Sequence, residues 1–257
     1  MIDKVQISAS IVLYKENIKE LTNTINCFLN TPLSKKLFLI DNNENKQFEN
    51  IFDKEEIEYI SVGENLGFGA GHNIILDKIK NFSNYHLILN PDVSFQPKVI
   101  PNLIAKLNRH EIVAMIAPRV LFPDGNHQFS CRRYPKLYEL LARRFNFLEP
   151  LFKTFVKKGK YQDKELQSSF FAEYITGCFH LYKTQDFINL QGFDERYFLY
   201  MEDVDICRKI EKLDKQKLYY PKEEIVHVLK QGSSKNINLF FRHTSSAIKY
   251  FLKWGFR

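Results

Sequence analysis

The sequence predicts an α/β protein built on a Rossmann-like, mostly parallel sheet. The apolar, β-rich segment Val5–Leu13 precedes residues 17–30, where apolar residues recur at helical spacing behind an Asn17 cap. A second apolar strand follows at 37–40, and this strand–helix–strand order implies a right-handed parallel crossover. Similar units continue to residue 117, which is typical of a doubly wound sheet.

Polar residues follow several of these predicted strands. Ligands of such sheets bind at the carboxyl ends of the strands, so we expect Asp41, the glycine-rich loop 63–73 and Asp92 to lie at one edge. The remaining elements predicted in this half are strands at 57–62, 85–89 and 112–117, and helices ending at 80 and spanning 97–108.

The second half of the chain is less regular. Residues 123–125 form a predicted turn, and 131–164 combine basic residues with a broken helical pattern, which indicates an insertion or lid. Further strands are predicted at 171–182, 217–220 and 225–228.

The last helix of the chain is amphipathic. We expect its apolar face to dock on the core, although the adjacent stripe of Arg242, Lys249 and Lys253, with Tyr250 and Trp254 beyond it, would also suit a membrane interface. The predicted docking face comprises Ile237, Phe240, Phe241, Thr244, Ile248, Phe251 and Leu252.

The net charge of +7 is unevenly distributed along the 257 residues. Residues 131–164 hold ten basic against three acidic residues, and residues 222–257 hold seven against two. Two basic surfaces on an otherwise acidic body indicate an anionic partner: a phosphate-bearing substrate, an acidic lipid surface or nucleic acid.

Cysteine usage and apolar run lengths exclude several protein classes. The four cysteines are far apart and form no CxxC pair, so we expect reduced thiols rather than a zinc site or a disulfide framework. No apolar run reaches the roughly 18 residues of a membrane-spanning helix, and the acidic start is unlike a signal peptide. We therefore expect a cytoplasmic protein.

An acidic segment at 192–208 is the strongest candidate for chemistry. Asp194, Glu202, Asp203 and Asp205 stand beside aromatic residues, and the last three lie where a helix is predicted to begin. Acidic residues in a first turn also complement the helix dipole, so this segment alone leaves a purely structural role open.

Two further residues could hold a divalent cation. Asp92 follows a buried strand and a proline, and Mg²⁺ or Mn²⁺ bound with a substrate diphosphate needs such a carboxylate. His227, on a late short strand, could add an imidazole, although an isolated histidine is more often a hydrogen-bonded core residue.

Six motifs in fixed order together resemble family 2 glycosyltransferases, specifically the rhamnosyltransferase-like branch. Each motif alone is common, but their succession is specific, and the resemblance runs from about residue 7 to the C-terminus, weakest at 131–164. The motifs are Asp41-Asn-Asn, Asn65-Leu-Gly-Phe-Gly-Ala-Gly-His-Asn, Asn90-Pro-Asp, Gly177-Cys-Phe, Gly192-Phe-Asp-Glu with Phe198-Leu-Tyr-Met-Glu-Asp-Val-Asp, and Tyr220-Pro with His227.

The resemblance implies a GT-A fold and inverting sugar transfer within one domain. Residues 1–118 would form the nucleotide-sugar-binding half and 119–257 the acceptor half. Asp203 would be the base that deprotonates the acceptor, kept ionised by the helix dipole. The remaining implied roles are donor binding by Asp41, Asn65, Gly67, Asn73 and Asn90, metal binding by Asp92 and His227, and acceptor contact or support by Asp194, Glu202 and Asp205.

The implied cofactor is Mg²⁺ or Mn²⁺, arriving largely with the nucleotide because Asn90-Pro-Asp supplies one carboxylate where many relatives have two. The implied donor is dTDP-L-rhamnose, with UDP-galactofuranose or another UDP-sugar as the alternative. The implied acceptor is a polyprenyl-diphosphate-linked saccharide at the cytoplasmic membrane face, in O-antigen, capsule or wall polysaccharide synthesis, and the basic stretches could face anionic lipid.

Two other classes compete with this interpretation. A sugar nucleotidyltransferase uses a similar sheet, but no glycine-rich motif with basic residues follows the first strand. A basic nucleic-acid-binding module is supported only by charge and aromatic content, and the clustered acids oppose it, so no nucleic acid partner is expected.

Overall fold

The protein is described here from a computed structural model, which covers residues 5–137, 149–229 and 237–255. The fold is α/β, as predicted, around a nine-stranded sheet in the order β3-β2-β1-β4-β10-β6-β11-β5, with β8 paired to β11. The strands are β1 Val5–Leu13, β2 Lys35–Asp41, β3 Ile57–Ser61, β4 Ser83–Leu89, β5 Val93–Phe95, β6 Val113–Leu121, β8 Phe170–Phe171, β10 Phe179–Lys183 and β11 Gln216–His227. A separate ribbon pairs β7 Cys131–Arg132 with β9 Tyr174–Ile175.

Eight helices surround the sheet in the described part of the chain. They are α1 Ile18–Leu29, α2 Phe68–Asn73, α3 Leu76–Ile79, α4 Val99–Leu107, α5 Glu149–Gly159, α6 Thr184–Asn189, α7 Glu202–Lys212 and α8 Ile237–Trp254. Asn17 caps α1 as predicted, because its side-chain oxygen accepts hydrogen bonds from the backbone N–H groups of Lys19 and Glu20.

The sheet is mostly parallel, since six of its nine strands run in one direction. β10 lies antiparallel between β4 and β6, and β5 and β8 run against β11. The carboxyl ends of β2, β4 and β11 therefore meet at one edge, and β10 begins there.

The core lies on both faces of the sheet. On one face, residues of α1 and α4 share one hydrophobic cluster with alternate residues of β1, among them Ile7 and Ile11. On the other face, α7 and the end of α8 pack against the sheet through Ile206, Cys207 and Tyr250. This packing holds the first turn of α7 beside the sheet edge.

Several predicted boundaries differ from the structure. The strands predicted at 217–220 and 225–228 are one strand, β11, with an irregularity between Tyr220 and Glu224. The strand predicted at 171–182 is three short strands, with breaks at residues 172–173 and at the turn that contains Gly177, between β9 and β10. Of the predicted basic insertion, residues 138–148 lie outside the described residues, and α5 follows them.

The predicted docking face of α8 is wrong in part. Phe241, Ile248 and Leu252 are 62, 56 and 73% exposed, whereas Tyr250 and Phe251 are buried. Amphipathic spacing identifies apolar residues but not the partners that rotate a helix about its axis. Here the polar ends of Lys253 and Trp254 bond to buried Asp205 and set that rotation.

The predicted basic stripe on α8 contacts neighbouring residues of the protein, although Arg242 and Lys249 remain exposed. Arg242 stacks 3.5 Å over the ring of Phe198, and Lys249 donates a hydrogen bond to the carbonyl of Arg196. Lys253 bonds to Asp205. No described helix is long and apolar enough to cross a membrane.

Candidate active site

The edge where parallel strands end brings together most of the predicted site residues. Asp41 ends β2, Asn90 and Asp92 follow β4, and His227 ends β11. Asp203 lies in the first turn of α7, next to Gly177 before β10. Residues up to 186 positions apart in sequence thus share one edge of the sheet.

Asp41 is fully buried, and its carboxylate is already bonded within the protein. One oxygen accepts hydrogen bonds from the backbone and side-chain nitrogens of Asn43 at 2.9 and 2.6 Å. The other accepts one from the hydroxyl of Tyr59, a partner that sequence reasoning missed. Burial first, and then the bond to Asp41, raises the pKa of Tyr59, which keeps that hydroxyl a donor.

The glycine-rich loop is held against the acidic segment by a backbone contact at Gly67. Its φ is +87°, and an added Cβ would lie 2.0 Å from the carbonyl oxygen of Phe198. That same oxygen accepts a 3.0 Å hydrogen bond from the N–H of Phe68. Asn65 closes the turn by accepting a bond from the Gly67 N–H at 3.0 Å.

Asn73 forms a second clamp between the same two segments. Its amide oxygen accepts a hydrogen bond from the N–H of Phe193 at 2.9 Å. Its amide nitrogen donates to the carbonyl of Phe193 and to Glu195. Three of the predicted donor contacts, Asn65, Gly67 and Asn73, therefore lie in a loop that is tied to the segment carrying Asp203.

Asp92 and His227 converge from different strands. The His227 Nε2 lies 3.3 Å from the Asp92 Oδ1, and the Asn90 amide nitrogen lies 3.3 Å from the same ring atom. Burial lowers the pKa of His227, but Cys178 and Asp92 outweigh it and raise the pKa to about 10.

The chemistry of this pair fits a divalent cation. A carboxylate oxygen and an imidazole nitrogen are a donor set that Mn²⁺ accepts, and both point to one spot. Within the described ranges, no group of three or more His, Cys, Asp and Glu side chains could hold a metal ion. Two protein ligands would leave the remaining coordination positions to a substrate diphosphate and water.

The first turn of α7 is entered through a strained backbone. Tyr200 and Met201 both have left-handed φ values, +68° and +69°, which non-glycine residues rarely adopt. After them, Asp203 accepts hydrogen bonds from the N–H of Val204 at 2.8 Å and of Gly177 at 3.3 Å. Strain that aims one side chain at a sheet edge is a feature of functional sites.

Asp203 and its neighbour Glu202 are not equivalent. Burial raises the pKa of Asp203 and outweighs the backbone hydrogen bonds, so the helix N-terminus does not dominate as the sequence led us to expect. Burial and the charge of Asp203 raise the pKa of Glu202 well above its usual range. One Glu202 oxygen is buried without a hydrogen-bond partner. These environments favour an ionised Asp203 beside a protonated Glu202.

Asp194 and Asp205 bind the C-terminal helix. Lys253 Nζ lies 2.7 Å from both carboxylates, and Trp254 Nε1 donates to Asp205 at 2.7 Å. Asp205 is fully buried, so its position favours support over the alternative role of acceptor contact. Arg196 also pairs with Asp194 and, with Lys253, holds the pKa of that carboxyl well below its usual range.

The dipeptide Gly177–Cys178 joins the two centres. The Gly177 N–H donates to Asp203, while the Cys178 carbonyl accepts a 3.0 Å hydrogen bond from the backbone N–H of Asn90. Neighbouring peptide units thus contact the acidic helix on one side and the Asp92–His227 pair on the other. The four cysteines, Cys178 included, are free thiols.

Comparison with known proteins identifies the family to which this arrangement belongs. Residues 8–183 match the sequence pattern of Glycosyl transferase family 2. The chain belongs to glycosyl transferase family 2. It is therefore a glycosyltransferase, and the resemblance seen in its six motifs is confirmed.

Its curated relatives include rhamnosyltransferases. The chain is 26% identical over 203 residues to "Rhamnosyltransferase WbbL" of Escherichia coli (strain K12), covering 76% of this chain and 73% of that protein. It is 26% identical over 181 residues to the "N-acetylglucosaminyl-diphospho-decaprenol L-rhamnosyltransferase" of Mycobacterium tuberculosis, covering 66% of this chain. The aligned part spans 58% of that relative, less than two thirds of its length.

Solved structures show that the fold is GT-A. The chain superposes on GalNAc-T7 with UDP, GalNAc and Mn²⁺ with a TM-score of 0.67 and 14% identity, over 91% of this chain and 45% of that one. The chain also superposes on the mannosyltransferase PcManGT from Pyrobaculum calidifontis, in complex with GDP-Man and Mn²⁺. The TM-score is 0.63 and the identity 12%, over 98% of this chain and 64% of that one. Both were solved with manganese.

Proposed function

We propose that this family 2 glycosyltransferase moves L-rhamnose from dTDP-L-rhamnose to a hydroxyl of a polyprenyl-diphosphate-linked saccharide, with inversion and with a divalent cation. The observation that carries the mechanism is the placement of Asp203 and the Asp92–His227 pair on either side of Gly177–Cys178. A base on one side and a cation site on the other match the two ends of a single displacement.

Asp203 is the proposed base. It takes the proton of the acceptor hydroxyl as that oxygen bonds to the anomeric carbon, while the bond from this carbon to the diphosphate oxygen breaks and its electron pair leaves with the nucleotide. Burial raises the pKa of Asp203, which makes its carboxylate a stronger proton acceptor. A protonated Glu202 beside it leaves Asp203 as the one ionised carboxylate of the pair.

The cation is proposed to bind between Asp92 and His227. When bound there, it would neutralise the charge that builds up on the departing diphosphate. Asn90, whose amide lies 3.3 Å from the His227 Nε2, borders the same spot and is the proposed donor contact closest to it.

The donor pocket is proposed to lie between the end of β2 and the glycine-rich loop. Asp41 and Asn43 border it on one side and residues 65–73 on the other, since the Asn42 amide donates to the Gly67 carbonyl at 3.0 Å. The rhamnosyltransferase names of two relatives support L-rhamnose as the sugar. UDP-galactofuranose or another UDP-sugar is the alternative donor.

The acceptor is proposed to reach Asp203 from the side of the β7–β9 ribbon. Arg132, on β7, is partly exposed, and its positive charge acts on Asp203. A lipid-linked diphosphate acceptor is supported by the name of the mycobacterial relative and by the basic segment that begins at Arg132. Synthesis of O antigen, capsule or wall polysaccharide would use such an acceptor.

Peripheral membrane contact is proposed at the exposed apolar row of α8, formed by Phe241, Ile248 and Leu252. An apolar helix face next to basic residues suits the interface of an anionic bilayer. Replacing all three residues by serine should reduce co-sedimentation with phosphatidylglycerol vesicles, whereas Ile112→Ser, at a residue 51% exposed elsewhere, should not. Equal binding of wild type and triple variant would exclude this surface.

The decisive test of function is transfer by purified protein. With Mn²⁺ and a polyprenyl-diphosphate-linked saccharide, dTDP-L-rhamnose should yield nucleoside diphosphate and a product whose anomeric configuration is opposite to that of the donor, and should do so faster than UDP-sugars. Asp203→Asn keeps the shape of the side chain and should lower the transfer rate about 10²–10⁴-fold. Glu44→Gln, an exposed control, should leave it unchanged. Near-wild-type transfer by folded Asp203→Asn would refute the base assignment.

A further inference from the structure

We propose that Gln128 is a positioning residue that keeps a proton on the His227 Nδ1, so that Nε2 is the ring nitrogen that faces Asp92 and can bind a metal. This inference rests on the proposed metal-dependent function, and it concerns a residue that sequence reasoning did not select.

The turn between β6 and β7 places Gln128 beside the end of β11. Residues 122–126 form a turn in which the N–H of Phe122 donates to the Asn126 carbonyl and the N–H of Gly125 donates to the Phe122 carbonyl. The backbone N–H of Gln128 then donates to the Val120 carbonyl at 2.9 Å. β6 and β11 are parallel neighbours, with Leu121 opposite Val226. The chain thus returns along β6 and delivers the Gln128 side chain to the ring of His227.

The surroundings of Gln128 determine the orientation of its amide group. The amide nitrogen donates to the backbone carbonyl of His227 and, at 3.3 Å, to that of Leu121. Carbonyl oxygens only accept hydrogen bonds, so the nitrogen must face them. The amide oxygen then faces the His227 Nδ1 at 3.0 Å. Reversing the amide would bring oxygen against two carbonyl oxygens.

This orientation determines which ring nitrogen carries the proton. An amide oxygen only accepts hydrogen bonds, so the His227 Nδ1 must be the donor. In the neutral imidazole, the single proton is then on Nδ1 and the Nε2 has the lone pair.

The hydrogen bond to Gln128 therefore orients the His227 Nε2 as a metal ligand before any metal binds. Histidines that bind metals commonly donate their second N–H to an oxygen, and removal of that partner typically lowers metal affinity about 10–100-fold. Gln128 can do this in either charge state of the ring, because the Nδ1 proton is present in both. Because Gln128 bonds to both the ring and the backbone of His227, it holds the rotamer as well as the tautomer.

The first test is direct observation of the proton by NMR of the full-length protein with ¹⁵N-labelled histidine, with the signal of His227 assigned by its loss in His227→Gln. We expect a proton on Nδ1 in the wild type, both alone and with Mg²⁺ and dTDP. A ring without a proton on Nδ1 in either sample would overturn the proposal, whether or not the enzyme needs a metal.

The second test measures Mn²⁺-dependent binding of dTDP by calorimetry. Gln128→Met, of similar length but without hydrogen bonds, should weaken it about 10–100-fold and leave metal-free dTDP binding unchanged. Gln185→Met, exposed on α6, is the matched control. Melting temperatures verify that all variants are folded.

The outcomes separate the two proposals. Unaltered Mn²⁺-dependent binding of dTDP by Gln128→Met would refute the positioning role. A wild type that binds dTDP without any Mn²⁺ dependence, yet carries the Nδ1 proton, would instead refute the metal-dependent function and leave the tautomer assignment standing.

Discussion

Replacing Gly67 by alanine tests whether the glycine-rich loop and the acidic segment act as one unit. The added Cβ would lie 2.0 Å from the Phe198 carbonyl oxygen, where real contacts stay beyond 3.0 Å, so the two backbones must part by about 1 Å. This separation weakens the 3.0 Å hydrogen bond from Phe68 to the same oxygen. Phe198 lies five residues before Asp203, so the proposed base moves as well.

The expected loss of stability has two parts. The backbone at Gly67, with φ +87° and ψ −176°, lies in a region almost exclusive to glycine, and a side chain there costs about 1–3 kcal/mol. Loss of the Phe68 hydrogen bond adds about 0.5–1.5 kcal/mol. Together these give about 2–4 kcal/mol, which lowers the melting temperature of a chain this size by roughly 4–16 °C.

Gly63→Ala is the matched control. Gly63 also has a positive φ, +81°, but no atom lies within 4 Å of the position of an added Cβ. Only the backbone strain of about 1 kcal/mol applies, and the melting temperature should fall by roughly 2–4 °C. Differential scanning calorimetry of both variants provides the comparison.

Transfer rates complete this test. A 1 Å displacement of a catalytic group can lower the rate about 10²-fold, so Gly67→Ala should lose activity on that scale while Gly63→Ala keeps it. Equal melting temperatures for the two variants, or a Gly67→Ala enzyme with wild-type rate, would refute the coupling of the loop to the acidic segment.

Two further predictions concern the surroundings of Asp203. Lys253→Met leaves the buried Asp205 carboxylate without its cation and should lower the free energy of unfolding, measured with denaturant, by about 3 kcal/mol. The control Lys98→Met, at an exposed residue, should change it by less than about 0.5 kcal/mol. An equally small change in Lys253→Met would contradict the role of Lys253 in holding α8 to Asp205. Glu202 has a raised pKa when folded, so the folded state binds more protons and stability falls as pH rises above the usual glutamate value. The free energy of unfolding of Glu202→Gln, relative to wild type, should therefore increase from pH 5 to pH 8. A difference between the two proteins that stays constant over this range would refute the raised pKa of Glu202.

The sequence predicted candidate site residues, but it did not predict the hydrogen bonds that fix their side chains. Asp92 and His227 were proposed as partners from their motifs, and the structure places their side-chain atoms 3.3 Å apart. Gln128 could not be selected in this way, because a glutamine after a predicted turn carries no local signal. Its bonds to His227 exist only because β6 and β11 are neighbours in the sheet.

Helix α8 is a second case in which the sequence predicted an element but not its contacts. Its length and apolar content were evident from the sequence, but its rotation was predicted incorrectly for Phe241, Ile248 and Leu252. Hydrophobic spacing describes one helix in isolation. Bonding of Lys253 and Trp254 to a buried carboxylate on α7 turns those three residues outwards, and burial of Tyr250 offsets their exposure.

The sequence by itself predicted most strands and helices of the first half in their order, the family and the acidic segment 192–208, because periodicity, turn residues and motif order are properties of neighbouring positions. Only the tertiary structure decided that Asp205 and Asp194 bond to the C-terminal helix, that Glu202 is buried beside Asp203, and that Gly177–Cys178 joins both halves of the site. These are contacts between distant positions, and burial and charge act through space rather than along the chain.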